Sequence, residues 1–478
     1  MTAELARIGG PLGALGFSVL VLAPARAWRF GGLVAWAAGC ATLAVWLAPS
    51  GHHRAIAAAA FLGAVVSALL AWLFLRVPWL LAVAVLACAP ARIPVSVGST
   101  KANLLLPLYV VVAGAALALA WQLLHGEARA RELGSFAWPL ALFVAWSGIA
   151  FTWSEGRRDG AIYLLFFVLP FGLVAVALSR LPWRIAWATT LYVQLAAMTF
   201  VIALIGVWQY ATRNIFWNPK VIVDNAYAPS SWYYRVNSVF YDPSIYGRFL
   251  VVGILASLVV VLFGPKPAAW AGLVAAVVTW VGLVPSFSQS SFVALGVGIV
   301  VALTVLWRRR AVLPLAVAAA ALVAVTLGVP QARHRVLGKS GLSHATGGRS
   351  KLVSKGIRLA VDHPVFGVGT GGFIHAYARE THLKGKNPKA AASHATPVTV
   401  AAEMGVPGLA LFAWLIATVL IVPFRRNQVA TATGRARLAF GLALIAIVVH
   451  SLFYNALFED PLFWALIALS AVAAREPA

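Results

Sequence analysis

Runs of apolar residues long enough to cross a bilayer recur along nearly the whole chain, and they constrain its fold more than any other feature. A helix needs about 20 such residues to span the hydrocarbon core. Spans are expected near 10–24, 31–48, 55–75, 78–91, 104–124, 136–153, 160–179, 184–209, 245–263, 268–284, 287–307, 311–329, 405–423, 437–457 and 461–473. The alternating ten-residue segments of a transmembrane β-barrel are absent. The sequence therefore predicts an all-α polytopic membrane protein with about 12–15 transmembrane helices and a large extracytoplasmic loop containing amphipathic helices. Composition agrees, because charged residues make up only 10% of the chain and mean hydropathy is +0.88. Arg76 and Pro78 interrupt the early pattern, which reads either as a re-entrant pair or as two true spans.

The net charge of +24 does not imply nucleic acid. Much of the Lys and Arg lies in short loops, where it orients a membrane protein by the positive-inside rule. Arg308, Arg309 and Arg310, then Arg425, Arg426, Arg435 and Arg437, and earlier Arg129 and Arg131, are separated by even numbers of expected spans. They all fit the cytoplasmic side. Segments 154–159, 211–244, 285–286, 330–404 and 458–460 then face outside. This divides the chain into N-terminal spans (1–100), a central region with an outside loop at 211–244 (101–329), the large loop (330–404) and C-terminal spans (405–478). Cys40 and Cys88 sit in apolar runs as packing residues.

The large loop concentrates the polar chemistry. Between Gln331 and Glu403 lie eleven Lys or Arg, six of the ten histidines and three acids, Asp362, Glu380 and Glu403. A loop this long escapes the positive-inside trend, so its charge suggests anion binding. Ser350–Asp362 reads as an interfacial amphipathic helix. Lys351, Ser354, Lys355, Arg358 and Asp362 share one face, and Val353, Ile357, Ala360 and Val361 the other. His363-Pro364 ends it. Thr396-Pro397 opens another helix, with Thr396 expected as N-cap. His394 stands just before that helix, whose N-terminal field favours the neutral imidazole that a general base needs. The alternative is a solvated loop histidine.

Arg248 lies inside a span, so it faces a cavity or partner, or snorkels to the surface. Arg235 reads as a phosphate clamp or as a salt-bridge partner of Asp224 or Asp242. Arg349 heads the basic helix, and its guanidinium suits pyrophosphate. Glu459-Asp460 balances arginines or binds a sugar hydroxyl. Gly367, Gly369, Gly371 and Gly372 read as a flexible turn, since no βαβ unit precedes them. The scattered acids give no Asp-x-Asp or His-Glu-x-x-His site, so no carboxylate-held metal is expected. No cofactor is expected either, and no Walker A loop is present.

Four segments resemble the O-antigen ligase and O-antigen polymerase superfamily of bacterial membrane glycosyltransferases. They are Arg235-Val236-Asn237-Ser238-Val239-Phe240-Tyr241-Asp242-Pro243 leading to Arg248; Pro285-Ser286-Phe287-Ser288-Gln289-Ser290-Ser291-Phe292; Gly348-Arg349 with the amphipathic helix and His363-Pro364-Val365-Phe366-Gly367-Val368-Gly369; and Ser393-His394 with Glu403, Gly405 and Gly408. The resemblance implies a metal-independent GT-C-type transferase in the bacterial cytoplasmic (inner) membrane, with its site facing the periplasm. The donor it implies is a glycan on undecaprenyl or another polyprenyl pyrophosphate, and the acceptor another glycan or a lipid-linked sugar. It maps the catalytic base to His394 and the donor-binding arginines to Arg235, Arg248, Arg349 and Arg358, supported by Glu403, Asp242 and Gln289. Ala395 stands where the family often has Asn, and Gln289 where many members have Arg. Membrane lipids are the other expected partners. The rival reading is a transporter of a lipid-linked glycan or small anion, for which the matched repeats of many transporters are missing.

Overall fold

Proline and a preceding cap set where several spans begin. The computed structural model describes residues 2–48, 53–97, 100–126, 132–216, 218–226, 233–307, 349–380, 393–425 and 429–476. The expected span 311–329, Arg129, Arg131, Arg308, Arg309, Arg310 and Arg426, and segments 330–348 and 381–392 of the basic loop lie outside these. The helices are α1 (Thr2–Leu22), α2 (Arg26–Leu47), α3 (His53–Arg76), α4 (Leu80–Cys88), α5 (Leu106–His125), α6 (Ala137–Ala150) and α7 (Arg157–Ser179). There follow α8 (Ile185–Thr212), α9 (Pro219–Ala226), α10 (Pro243–Phe263), α11 (Lys266–Leu283) and α12 (Gln289–Trp307). Beyond them come α13 (Arg349–Asp362), α14 (Phe373–Glu380), α15 (Thr396–Ile421), α16 (Ala432–Ser451) and α17 (Pro461–Ala474). Asp242 and Asp460 cap α10 and α17, each followed by proline in the first turn, where its missing N–H costs nothing.

Ten helices among the described residues are long and apolar enough to cross a membrane, with three shorter apolar ones beside them. The chain is thus a multi-pass, all-α membrane protein. Two expectations need correction. The 78–91 segment forms only the nine-residue α4, too short for a full span, and joins α5 through a small antiparallel hairpin, β1 (Ile93–Val97) with β2 (Thr100–Leu104). Proline at 78 and at 90 limits α4 at both ends. The last long span starts at Ala432 rather than near 437, because Thr431 accepts from the Gly434 amide as its N-cap.

One apolar core runs from α1 to α17, and a second, small one lies under the loop helices. Glycines let α1 and α2 pack backbone to backbone: a Cβ on Gly39 would meet the Gly13 amide nitrogen at 2.3 Å, and one on Gly32 the Leu20 nitrogen at 2.6 Å. Small residues serve this purpose where lipid offers no hydrophobic drive.

Basic residues collect at one end of the bundle. There Glu132, in the α5–α6 connection, is buried between Arg29 at 2.9 Å and Arg180 at 2.6 Å. Arg475 donates to the Glu132 and Ser179 carbonyls, and Arg437 to those of Ala473 and Glu476. The cluster ties α2, α6, α7, α16 and α17 together. Removing its carboxylate strands two buried cations. Glu132→Ala should cost about 3–5 kcal/mol, read as earlier unfolding in graded denaturant and detergent.

Candidate active site

The opposite end of the bundle is built around a break in a helix. α15 begins at Thr396, nine residues before the expected span start, and is interrupted at Gly405 (φ 64°, ψ −166°). That conformation is open essentially to glycine alone. The break exposes carbonyls within the apolar layer, and each finds a donor. Ala402 O accepts from Val368 N (2.9 Å), Glu403 O from Gly369 N (2.9 Å) and Met404 O from Trp146 Nε1 (2.9 Å). Beyond the break, Val406 N donates to Pro364 O at 2.8 Å.

The glycine-rich stretch supplies those donors, so it is a packed turn rather than a flexible one. Gly367, Gly369 and Gly371 have φ of +66°, +86° and +78°. A Cβ on Gly369 would lie 2.3 Å from the Ser154 Cα, and one on Gly371 2.1 Å from the Gly160 nitrogen. Thr370 Oγ1 donates to Ser147 O at 2.7 Å. The buried Glu403 carboxylate accepts from Phe373 N at 3.2 Å and so starts α14. Two surface pairs join α14 to the start of α7 and the loop before it: Arg379 with Glu155 (2.7 and 2.9 Å) and His375 with Asp159 (3.1 Å).

α13 also differs from expectation in the face it buries. Leu352, Gly356 and Leu359 turn inward against Val368, Phe373, Ala376, Tyr377 and α15. Ile357 and Val361, with Val365, Phe366 and Val406, stay exposed. The helix carries two apolar stripes: protein covers one, and the other is left open. Arg358 is exposed and Lys355 lies over the Tyr377 ring at 5.7 Å. Arg349 opens the helix.

His394 occupies the left-handed region (φ 56°) and is half-buried. The helix behind it starts one residue earlier than expected for its cap. Ala395 holds the N-cap position, and the Thr396 hydroxyl makes no cap bond. Thr396 is only 2% exposed, and its Oγ1 has no hydrogen-bond partner among the described residues. It lines a cavity of about 80 Å³ with Tyr163, Thr399, Glu403, Asn455 and Glu459.

The 456–460 loop that closes this cavity is held by two arginines. Arg248, 2% exposed, pairs with Asp460 at 2.9 Å and donates to Ala456 O at 3.3 Å. Arg92 pairs with Glu459 at 3.3 Å and also reaches its carbonyl. Arg248 therefore has a partner and does not snorkel, and Glu459-Asp460 balances arginines. Arg92 escaped sequence reasoning. Its signal was a lone arginine just past a short apolar run.

Arg235 lies on a loop clamped by side-chain amides. Asn225 accepts from the Arg235 N–H and donates to its carbonyl, both at 2.9 Å. Gln209 does the same for Ser238, at 2.7 and 3.1 Å. The guanidinium Nε donates to Ser286 O at 3.1 Å, and no ion pair to Asp224 or Asp242 forms. From Ser286 a buried polar chain runs inward. Ser288 Oγ lies 3.1 Å from Ser290 Oγ and 2.8 Å from Ser291 Oγ, and Ser290 Oγ lies 3.0 Å from His450 Nε2. His450 was missed because a lone histidine in an apolar run carries no spacing signal. Gln289 points outward and is exposed, and Asp242 serves as the α10 cap. Thus Arg235 connects through the serines to the helix that precedes Asn455, whereas Arg358 and Gln289 stand apart.

Gly405→Ala tests the frame. Its Cβ would meet Val365 O at 2.3 Å, in a conformation that already costs about 1–3 kcal/mol for other residues. The variant should lose at least that much stability and open the Gly367–Gly372 turn to protease.

No curated protein matches the chain. Residues 273–413 match the model of the O-antigen ligase family. This stretch runs from α11 through the serine turn, α13, the glycine turn, His394 and the break in α15, and its match supports a kinship with the O-antigen ligase superfamily.

Proposed function

We propose that the chain is an inverting glycosyltransferase that moves a glycan from polyprenyl pyrophosphate to a sugar hydroxyl on the outer face of the cytoplasmic membrane. The observation that carries this reading is His394, half-buried in a left-handed turn two residues before Thr396, which lines a cavity with Thr399, Asn455 and two carboxylates. Hydroxyls, an amide and carboxylates are the groups that hold sugar hydroxyls. The outward assignment follows from the arginine-rich opposite end under the positive-inside rule.

In this mechanism a ring nitrogen of His394 takes the acceptor hydroxyl proton. The freed oxygen forms a bond to the anomeric carbon as the bond from that carbon to the pyrophosphate oxygen breaks. The leaving group takes the electron pair, and cations meet its charge. Arg235 suits this role because its backbone is fixed and it has no carboxylate partner among the described residues. Arg349 and Arg358, on the loop helix α13, are proposed as further cations for the leaving group. Arg248, already neutralised by Asp460, anchors the 456–460 loop instead of binding phosphate. The reading draws its charge stabilisation from arginine and needs no metal ion.

A positioned base is worth about 10²–10⁴ in rate. His394→Ala should lower release of polyprenyl pyrophosphate from a lipid-linked glycan by that factor, with chelator present and thermal stability unchanged. Full transfer by this variant would remove His394 from the base role. Arg235→Gln should lower turnover about 10²–10³-fold, the usual cost of removing a charge-stabilising donor. A change confined to donor affinity would make it a binding residue only.

A further inference from the structure

A cavity larger than the one beside Thr396 lies elsewhere among the described residues. A cleft of about 540 Å³ lies between α4, α8, α10, α11, α16 and α17, within the range of about 300–1,000 Å³ common for ligand sites. Its walls are small and apolar, with Ala82, Ala188, Ala256, Ala268, Ala436 and Ala439 among them. Alanines here leave space that leucines would fill. At one end Val252 and Leu462 line the cleft, and both also border the Arg248–Asp460 pair. At the other end stand Gly264, Pro265 and Arg435. The path along α10 from Val252 to Gly264 is about 18 Å at 1.5 Å per residue, slightly more than one leaflet of a ~30 Å core. Ile185 and Val193 on the wall are well exposed, so the cleft opens sideways toward lipid.

Its mouth at the basic end is cationic. Arg435 lines it and donates to the Val429 and Ala430 carbonyls. Arg184 immediately precedes the wall residue Ile185, and Lys266 follows Pro265. None of the three forms an ion pair among the described residues. Trp183, Trp187 and Trp270 occupy the same end, with Arg184 over the Trp187 ring at 5.7 Å. Tryptophans at this level mark headgroup depth.

We infer that this cleft is a lipid site. It takes an acyl chain of an anionic glycerophospholipid from the leaflet at the basic end, with the phosphate beside Arg435, Arg184 and Lys266. A lipid-linked glycan bound for His394 would carry its head at the other end, so the cation-lined mouth argues for a resident phospholipid. The chain would join α8 and α11 to α10, α16 and α17 across a seam that side chains leave open.

The test is native mass spectrometry of protein released from nanodiscs containing equal phosphatidylglycerol, phosphatidylcholine and polyprenyl phosphate. Wild type should retain phosphatidylglycerol, one per chain. Arg435→Gln should reduce its preference over phosphatidylcholine by about fivefold, the worth of one cation near an anionic lipid. Ala439→Phe, which narrows the cleft, should release the lipid. Equal retention of both phospholipids by wild type, or undiminished retention by a folded Ala439→Phe, would overturn the inference. So would retention of polyprenyl phosphate in place of phospholipid. If Ala439→Phe fails to fold, the Arg435→Gln ratio decides alone. None of these readings depends on transfer activity.

Discussion

Inside a bilayer no water satisfies a broken helix, and that constraint organises the candidate site. Non-helical backbone survives at membrane depth only where protein supplies the missing hydrogen bonds. At Gly405 the donors come from Val368, Gly369 and Trp146. The helix break and the glycine turn are therefore one structure, neither of which is stable without the other. Fixing that turn fixes α13 and α14 above it and the entry to α15 below. His394 sits at that entry, so its position depends on hydrogen bonds made a full two turns away.

The buried charges serve a different purpose at each end. Around Glu132 one carboxylate joins α2 to the end of α7. Around Asp460 and Glu459 they hold a short loop between two spans. Taking one partner from a buried pair costs far more than the pair contributes, so such pairs define geometry more than they add stability. An arginine spent on anchoring is unavailable for substrate. This separates Arg248 from Arg235, although both look alike as isolated cations near a span.

Much of this was legible in the sequence, because apolar run length and the X-Pro starts are strong local signals. The all-α membrane class, most span positions and the helix ending at His363-Pro364 follow from them. The short α4 was only half legible, since Arg76 and Pro78 left a re-entrant pair and two true spans both open and Pro90 was not weighed. The inward stripe of α13 was missed because two apolar stripes compete, and only tertiary contact picks one. The glycine turn looked flexible because positive φ and close packing leave the same residue in the sequence. Pairing between Arg248 and Asp460 spans more than 200 residues, and no local pattern encodes it. The recognisable segments around His394 and Arg235 marked the candidate region; its geometry needed the fold.

The shortness of α4 has a consequence for depth. Trp79 shares a small cavity with Leu181 and Trp183 at the basic end, while Arg92 pairs with Glu459 at the other. Residues 79–92 thus link the two polar layers over about 20 Å at helical rise, where the hydrocarbon core is ~30 Å thick. Across α4 the two polar layers are therefore closer together than the hydrocarbon core is thick. Under the proposed function, a lipid-anchored headgroup arriving sideways would meet polar groups below the plane of its neighbours, and the protein would draw the reacting bond down instead of lifting the lipid out.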